Sequence, residues 1–327
     1  MASGEDSLIA RYFKPLATEV GALALTDDAA ALATNGEDLV VTTDAIVEGV
    51  HFLPNDPPDT LARKALRVNL SDLAAKGAEP AGFVLTLALR SVDHSWLGPF
   101  AAALGEDARE FGCPLFGGDT VSTSGPAMIS VTAFGRVPKG TMVKRAGAKP
   151  GDLVVVTGTI GDAAIGLRLL TGDNGEMNGV LDETQRGGLI ARYRMPQPRS
   201  RLASAVRQWA SAAMDVSDGL AGDLEKLCGV SGVSAEVRLA DVPLSAPARM
   251  AVGSGAVDLE SLIAGGDDYE VLCTVPERSF GALRTAAEDA DVPVTAIGRI
   301  SEGPGRVRFV DAKGAEITLS RRSYSHF

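Results

Sequence analysis

The sequence predicts a two-domain α/β protein, α+β in type, with strands and helices mixed in both halves. Three observations predict it. The chain has 327 residues, long for a single average domain. Short β-branched runs, such as residues 39–42, alternate with stretches in which leucines recur at i, i+4 and i+7. The alternation breaks once, at residues 138–152, where Pro and Gly are crowded together with Lys139, Lys144, Arg145 and Lys149. The domain boundary is expected there, giving units of 1–148 and 149–327.

Taken in order, residues 3–16 predict a first helix, with Ser3 as its cap and Leu8, Ile9, Tyr12 and Phe13 at helical spacing. A strand at 30–33, the Asn35-Gly36 turn and a strand from 39 read as a hairpin. That hairpin would bring Asp28, in an acidic turn, near Asp44 across the sheet. Residues 60–77 predict a strong helix. Leu66, Leu70 and Leu73 form its stripe, while Asn69, Asp72 and Lys76 fall on the adjacent face. Strands are predicted at 82–89, 113–116 and 127–134, with a helix at 95–111. The second half opens on a strand at 153–157, a glycine turn at 158–161 and a helix at 162–170. Residues 171–188 are polar and glycine-rich, which predicts an irregular excursion. The segment 193–199 comes next, a helix follows it to about 211, and Leu220, Leu224 and Leu227 set another. Strands at 271–275, 294–300 and 307–310, with a helix at 278–290, complete the chain.

Composition excludes several classes. A net charge of −11 argues against nucleic acid or an anionic membrane as partner. No apolar run approaches the ~20 residues that span a bilayer, and the first residues lack a signal-peptide core. A soluble cytoplasmic protein is expected. Cys113, Cys228 and Cys273 show no C-x-x-C spacing and sit in apolar surroundings, so buried reduced thiols are expected.

The chemistry-bearing residues are acids. Thr42, Thr43 and Asp44 end a strand, where α/β proteins keep ligand groups, and together form the hard-oxygen cluster that Mg²⁺ prefers. Asp72 lies mid-helix among small apolar residues, where a packed carboxylate needs a cation. Gly117-Gly118-Asp119-Thr120 follows a strand. Asp215, Ser217 and Asp218 precede a helix whose free N–H groups suit a phosphate. Two carboxylates there repel a bare phosphate and make sense with cations between. Gly265-Gly266-Asp267-Asp268 is a third acidic turn. Each alone is as readily a solvated turn; their joint occurrence suits several Mg²⁺ ions bridging a polyphosphate, as phosphoryl transfer requires. The absence of a His/Cys cluster argues against Zn²⁺. The chain has no G-x-x-x-x-G-K-[ST] loop and no protein-kinase signature, so any ATP site is of another kind.

The ordered set GEDSLIARYF, DDAA, TTDAIVEGVHF, NLSDLAAKGAEP, GGDT, KRAGAKPGD, MDVSDGL, GGDDYEV and SYSHF resembles the thiamine-monophosphate kinases. These form one family of the ATP-binding superfamily related to aminoimidazole ribonucleotide synthetase. The resemblance spans nearly the whole chain. It implies two α/β domains, the N-terminal one holding ATP, Mg²⁺ and the dimer contact, the C-terminal one completing the site. It implies that the N-terminal mixed sheets of a homodimer pair into a barrel. It also implies ATP-dependent phosphorylation of thiamine phosphate to thiamine diphosphate, by direct in-line transfer with several Mg²⁺ ions and no covalent nucleophile. Carried over, Asp28, Thr42, Thr43, Asp44, Asp72, Asp119, Asp215 and Asp218 bind Mg²⁺. Gly118, Asp119, Arg145 and Ser217 contact ATP, and His51, Asp267 and Tyr324 contact thiamine phosphate. An arginine can pair with phosphate oxygens, and Tyr324 can stack on a cationic thiazolium. Two positions depart from the family: Asp267 stands where Glu is usual, and Thr26 where Gly often precedes the first acidic turn. The rival readings are an amidine-forming purine enzyme of the same superfamily and a non-catalytic nucleotide or metal sensor.

Overall fold

A computed structural model describes residues 26–27, 30–34, 36–172 and 177–323. The helix expected at 3–16, Asp28 and Tyr324 lie outside the described residues. The first half contains β1 (Ala30–Thr34), β2 (Glu37–Val47), α1 (Pro58–Ala75), β3 (Glu79–Leu89), α2 (His94–Glu110), β4 (Leu115–Ser122) and β5 (Met128–Pro138). Its sheet runs β1-β2-β5-β3-β4 and, among the described residues, does not close on itself. β1 and β2 form the expected hairpin, with Ala30 opposite Val41. β3 and β4 are parallel and are joined through α2; the other pairs are antiparallel.

The GGDT stretch was expected to follow its strand. It lies within β4 instead. The cause is the neighbouring strand: Gly118 sits opposite Leu85, and a Cβ at Gly118 would come 1.9 Å from the Leu85 carbonyl oxygen. The glycine lets the two backbones approach and the ladder continue.

Helix α1 is the central element. Pro58 starts it, where the missing N–H costs nothing, and Gly77, at φ 69, turns the chain out of its C-terminus. Its leucine stripe packs with Val40, Phe83, Phe100 and Val131 in the first core. Ala74 and Ala75 instead join a core of the second half, beside Val155, Val206 and Cys273. A helix covered on every side also buries its polar residues, here Lys64, Asn69, Ser71, Asp72 and Lys76.

The second half contains β6 (Leu153–Thr157), α3 (Asp162–Thr171), α4 (Glu183–Arg194), α5 (Ala203–Trp209), β7 (Ala212–Asp215), α6 (Leu220–Ser231), β8 (Val233–Arg238), α7 (Ala246–Gly253), α8 (Leu259–Ile263), β9 (Val271–Val275), α9 (Glu277–Asp289), β10 (Val294–Glu302), β11 (Val307–Val310) and β12 (Glu316–Ile317). The sheet order is β12-β11-β8-β10-β6-β9-β7. Val154 and Val156 face the core that holds Leu220, Leu224 and Leu227, while Val155 faces the opposite one, as the two-residue strand period demands. Part of the excursion expected at 171–188 is helix α4. Asp182 and Gln185 form a reciprocal capping box, at 2.8 and 2.9 Å, that starts it.

The three cysteines are free and buried. Burial pushes Cys113 up to about 11 and Cys228 and Cys273 up to about 12, so all three are thiols rather than thiolates. Among the described residues no helix is long and apolar enough to cross a membrane.

Candidate active site

A cleft of about 1080 Å³ takes residues from both halves. Thr43, Asp44, His51 and Asp72 come from the first, and Asp215, Ser217, Asp218 and Asp267 from the second. Strand β2 supplies its acids by alternation. Thr42 points to α1, where its hydroxyl donates to Asp72 Oδ2. Thr43 Oγ1 donates to the Val131 carbonyl at 3.2 Å and lies 2.9 Å from Thr132 Oγ1. Asp44 is open to the cleft. Asp72 reaches the cleft from mid-helix, and Asp215 from the end of β7.

These carboxylates lie close enough to resist ionisation together. Enclosure, then the charge of Asp218, raises Asp44 to about 6. Burial raises Asp72 well above the ordinary carboxylate value, and Asp215 and Asp44 add to the effect. Asp215 is pushed up to about 7 by burial, against a hydrogen bond from Ser71 and with the charges of Asp223 and Asp44. Lys76, whose Nζ donates to the Ala213 carbonyl at 2.8 Å and pairs with Asp27, partly offsets Asp72 and Asp215. Among the described residues no three acidic, His or Cys side chains already converge on one point at metal-binding geometry. The acids are strung along the cleft, an arrangement suited to cations shared with a ligand's oxygens.

Two glycine-bearing loops set the rest of the wall. The backbone N–H groups of Asp267 and Tyr269 donate to the carbonyls of Ser217 and Val216, both at 2.8 Å. A Cβ at Gly266 would lie 2.3 Å from the Ser217 carbonyl oxygen, so the loops interlock only because that residue is glycine. Asp267 and Tyr269 both have positive φ, 70° and 50°, a conformation that side chains adopt only when surroundings impose it. Of the acids in this loop, Asp267 lines the cleft. Asp268 accepts from the Gly161 N–H with both oxygens, and Glu270 is held by Thr157, Arg192 and Arg199. Asp218 is engaged by Lys226 at 2.6 Å, which also meets Asp223 at 3.1 Å. His51 Nδ1 accepts the Val47 N–H at 3.1 Å, so the neutral ring carries its proton on Nε2.

Four predicted residues do not line this cleft. Thr42 is buried behind it, against Asp72. Asp44 pairs with Val131, Val131 with Leu85 and Leu85 with Gly118, so Gly118 is level with Asp44 but three strands away, roughly 14 Å at ordinary strand spacing. Asp119 is on that same far strand, its Oδ1 accepting the Thr120 N–H. Arg145 stands at the acidic turn, where its backbone N–H donates to Asp27 at 2.5 Å. Several cleft residues carried no sequence signal. Tyr193, Arg168 and Arg321 line it, and Lys64 is buried behind it, bonded to Asp267 at 3.2 Å.

The chain is similar to proteins of known kind. AIR synthase related protein, N-terminal domain, matches residues 26–137, and the corresponding C-terminal domain matches 149–311. The two matches define an enzyme of the AIR synthase related family. The thiamine-monophosphate kinase of Caulobacter vibrioides is 44% identical over 97% of this chain and 89% of its own. That of Salmonella typhimurium is 42% identical over 100% and 99%. AaThiL complexed with AMPPCP and TMP superposes with a TM-score of 0.84 at 31% identity, covering 99% of this chain and 97% of that one. The chain belongs to the thiamine-monophosphate kinase family.

Proposed function

We propose that this enzyme phosphorylates thiamine phosphate with ATP, releasing thiamine diphosphate and ADP, by direct in-line transfer within the interdomain cleft. The observation that carries this reading is the convergence in one cleft of Asp44, Asp72, Asp215 and Asp218 with His51 and Asp267, drawn from both halves of the chain. The shared activity of its relatives, and the AMPPCP and TMP held by AaThiL, support the substrate pair.

The donor set fits Mg²⁺. It offers carboxylate and hydroxyl oxygens, the ligands hard divalent ions take. The mutual elevation of Asp44, Asp72 and Asp215 calls for positive charge beyond what Lys76 provides. Thr42, Thr43, Asp44, Asp72, Asp215 and Asp218 would hold the ions, with Asp28 and Asp119 completing the set. Bound Mg²⁺ supplies charge neutralisation and alignment of the donor and acceptor phosphates. The side chains do the positioning. Ser217, Gly118 and Arg145 would receive the ATP phosphates. His51, through Nε2–H, would donate to the acceptor phosphate. Asp267 and Tyr324 would hold the cationic heteroaromatic end. The nucleophile is the substrate's own phosphate oxygen, so no side chain forms a covalent intermediate.

Exposed Leu115, Phe116 and Val121 on β4 support a homodimer in which the first-half sheets pair into a barrel. Such pairing offers Gly118 and Asp119 a route to a cleft that β4 does not reach in its own chain. Residues 1–148 would then carry ATP, Mg²⁺ and dimer contacts, and 149–327 would complete the site in a cytoplasmic enzyme. The test is ADP release measured with and without thiamine phosphate and Mg²⁺. Turnover that needs both, with one thiamine diphosphate formed per ADP, supports the reading; ADP release indifferent to thiamine phosphate contradicts it.

A further inference from the structure

We propose that Lys64 is the positioning residue for the acceptor end of the cleft. It fixes the Asp267 carboxylate and the His51 segment relative to one another, across the junction of the two halves. This rests on the proposed function, since it assigns the substrate-side contacts a common anchor.

Lys64 is 1% exposed and does not line the cleft, although Asp267, His51 and Tyr193 all do. Its ammonium donates to the His51 carbonyl at 2.9 Å and to Asp267 Oδ2 at 3.2 Å. It sits 3.9 Å from the centre of the Tyr193 ring. The Tyr193 hydroxyl donates to the same His51 carbonyl, at 3.2 Å. A buried ammonium is costly unless paired and hydrogen-bonded, and here the helix carries it to the one point where three cleft-lining segments meet. Each contact comes from a different stretch of chain: the turn after β2, helix α4, and the loop before β9.

The loop needs such an anchor. Asp267 has φ 70°, and its backbone is tied to Ser217, so the loop's path is set by main-chain bonds. The side chain's direction is not set by them. Asp also has a short side chain, which reaches the substrate only if its direction is held. The charge-assisted bond from Lys64 does this. The same ammonium orients the peptide that carries His51, so the carboxylate and the imidazole move as a unit. Lys64 does not touch the substrate; it acts through residues that do.

The experiment is steady-state kinetics of the full-length enzyme with each substrate varied in turn. It uses Lys64→Met, Asp267→Asn and the double variant, together with calorimetric binding of thiamine phosphate alone. Loss of one charged hydrogen bond predicts that Lys64→Met raises KM for thiamine phosphate, and weakens its binding, about 10- to 100-fold, with KM for ATP within about 2-fold. The double variant should lose clearly less than the product of the two single losses, because Lys64 acts in part through that acid and in part through the His51 peptide. If Lys64→Met does not accumulate as folded protein, Lys64→Gln, which keeps a shorter neutral donor, carries the same comparison. Equal increases in both KM values, or a lower melting temperature with acceptor binding intact, would make Lys64 a structural cross-link and overturn the proposal. Losses that multiply in the double variant overturn it as well. A wild-type enzyme with no turnover on thiamine phosphate overturns the function and the proposal together, whereas an active wild type with unaltered acceptor binding in Lys64→Met overturns the proposal alone.

Discussion

Two sets of buried acids lie within the same molecule and are treated in opposite ways. Glu270 is buried against Arg192, Arg199 and the Thr157 hydroxyl, and Asp107 is buried against Arg63 and Arg67. Each has its own permanent cations. Asp72 and Asp215 are also buried but lie beside other carboxylates, and Lys76 offsets both only in part. Burial of an acid therefore says little about function by itself. What separates the sets is whether the fold supplies the compensating charge or leaves it to a ligand.

The sharpest way to break this comparison is to neutralise Glu270 in one set and Asp44, the cleft-facing neighbour of Asp72 and Asp215, beside the other. Asp44→Asn should lower turnover by about 10³-fold or more, because a metal and phosphate contact is lost, while leaving the melting temperature unchanged or higher. Wild-type turnover in that variant would remove Asp44 from the site. Glu270→Gln should do the reverse to stability. Stranding two arginines on a neutral partner costs roughly 3–5 kcal/mol, read by urea denaturation. A loss under about 1 kcal/mol would place Glu270 with the uncompensated acids.

A smaller effect concerns the sheet edges. Phe116 is 67% exposed on β4, and the proposed β4 pairing predicts a sedimenting dimer that Phe116→Asp shifts to monomer, with turnover lowered alongside. A monomeric variant with full turnover would mean that β4 contributes nothing to a neighbouring cleft. The smallest effect is in pH. The raised values of Asp44, about 6, and Asp215, about 7, mean that the folded protein holds protons the unfolded chain has released. Without divalent cations these groups therefore reduce stability as pH rises from about 4 to about 7, and add no further loss above that range. The melting temperature gained on adding Mg²⁺ should be larger at pH 8 than at pH 5; a gain independent of pH would disconnect the ions from these carboxylates.

Much of the fold was legible because periodicity reports burial. The leucine stripe of α1, the hairpin of β1 and β2, and Asp215 at the end of β7 were legible, whereas Asp44, expected at a strand end, lies inside β2, which pairs with β5 as far as Val47. Asp72 was legible for a different reason: an acid among small apolar residues cannot be solvated. What was not legible depends on partners distant in sequence. Lys64 and Lys76 look like ordinary helix-surface lysines until the second half covers α1. Gly117-Gly118 was placed after the strand because glycine commonly ends one, and only the register against Leu85 shows that the strand runs on through it. Helix α4 was missed because Gly187-Gly188 argues for a loop, although the Asp182–Gln185 capping box was present in the sequence. The three-strand separation of Asp119 from Asp44 is a property of strand order, which no local pattern encodes.

The most direct measurement is the melting temperature of the wild type, Asp72→Asn and Asp215→Asn across a Mg²⁺ titration in the presence of a non-hydrolysable ATP analogue. The wild type should gain several degrees. The variants, already relieved of one repelling charge, should start no lower and gain little. An equal gain in all three would contradict the view that these buried carboxylates are held in place for bound cations.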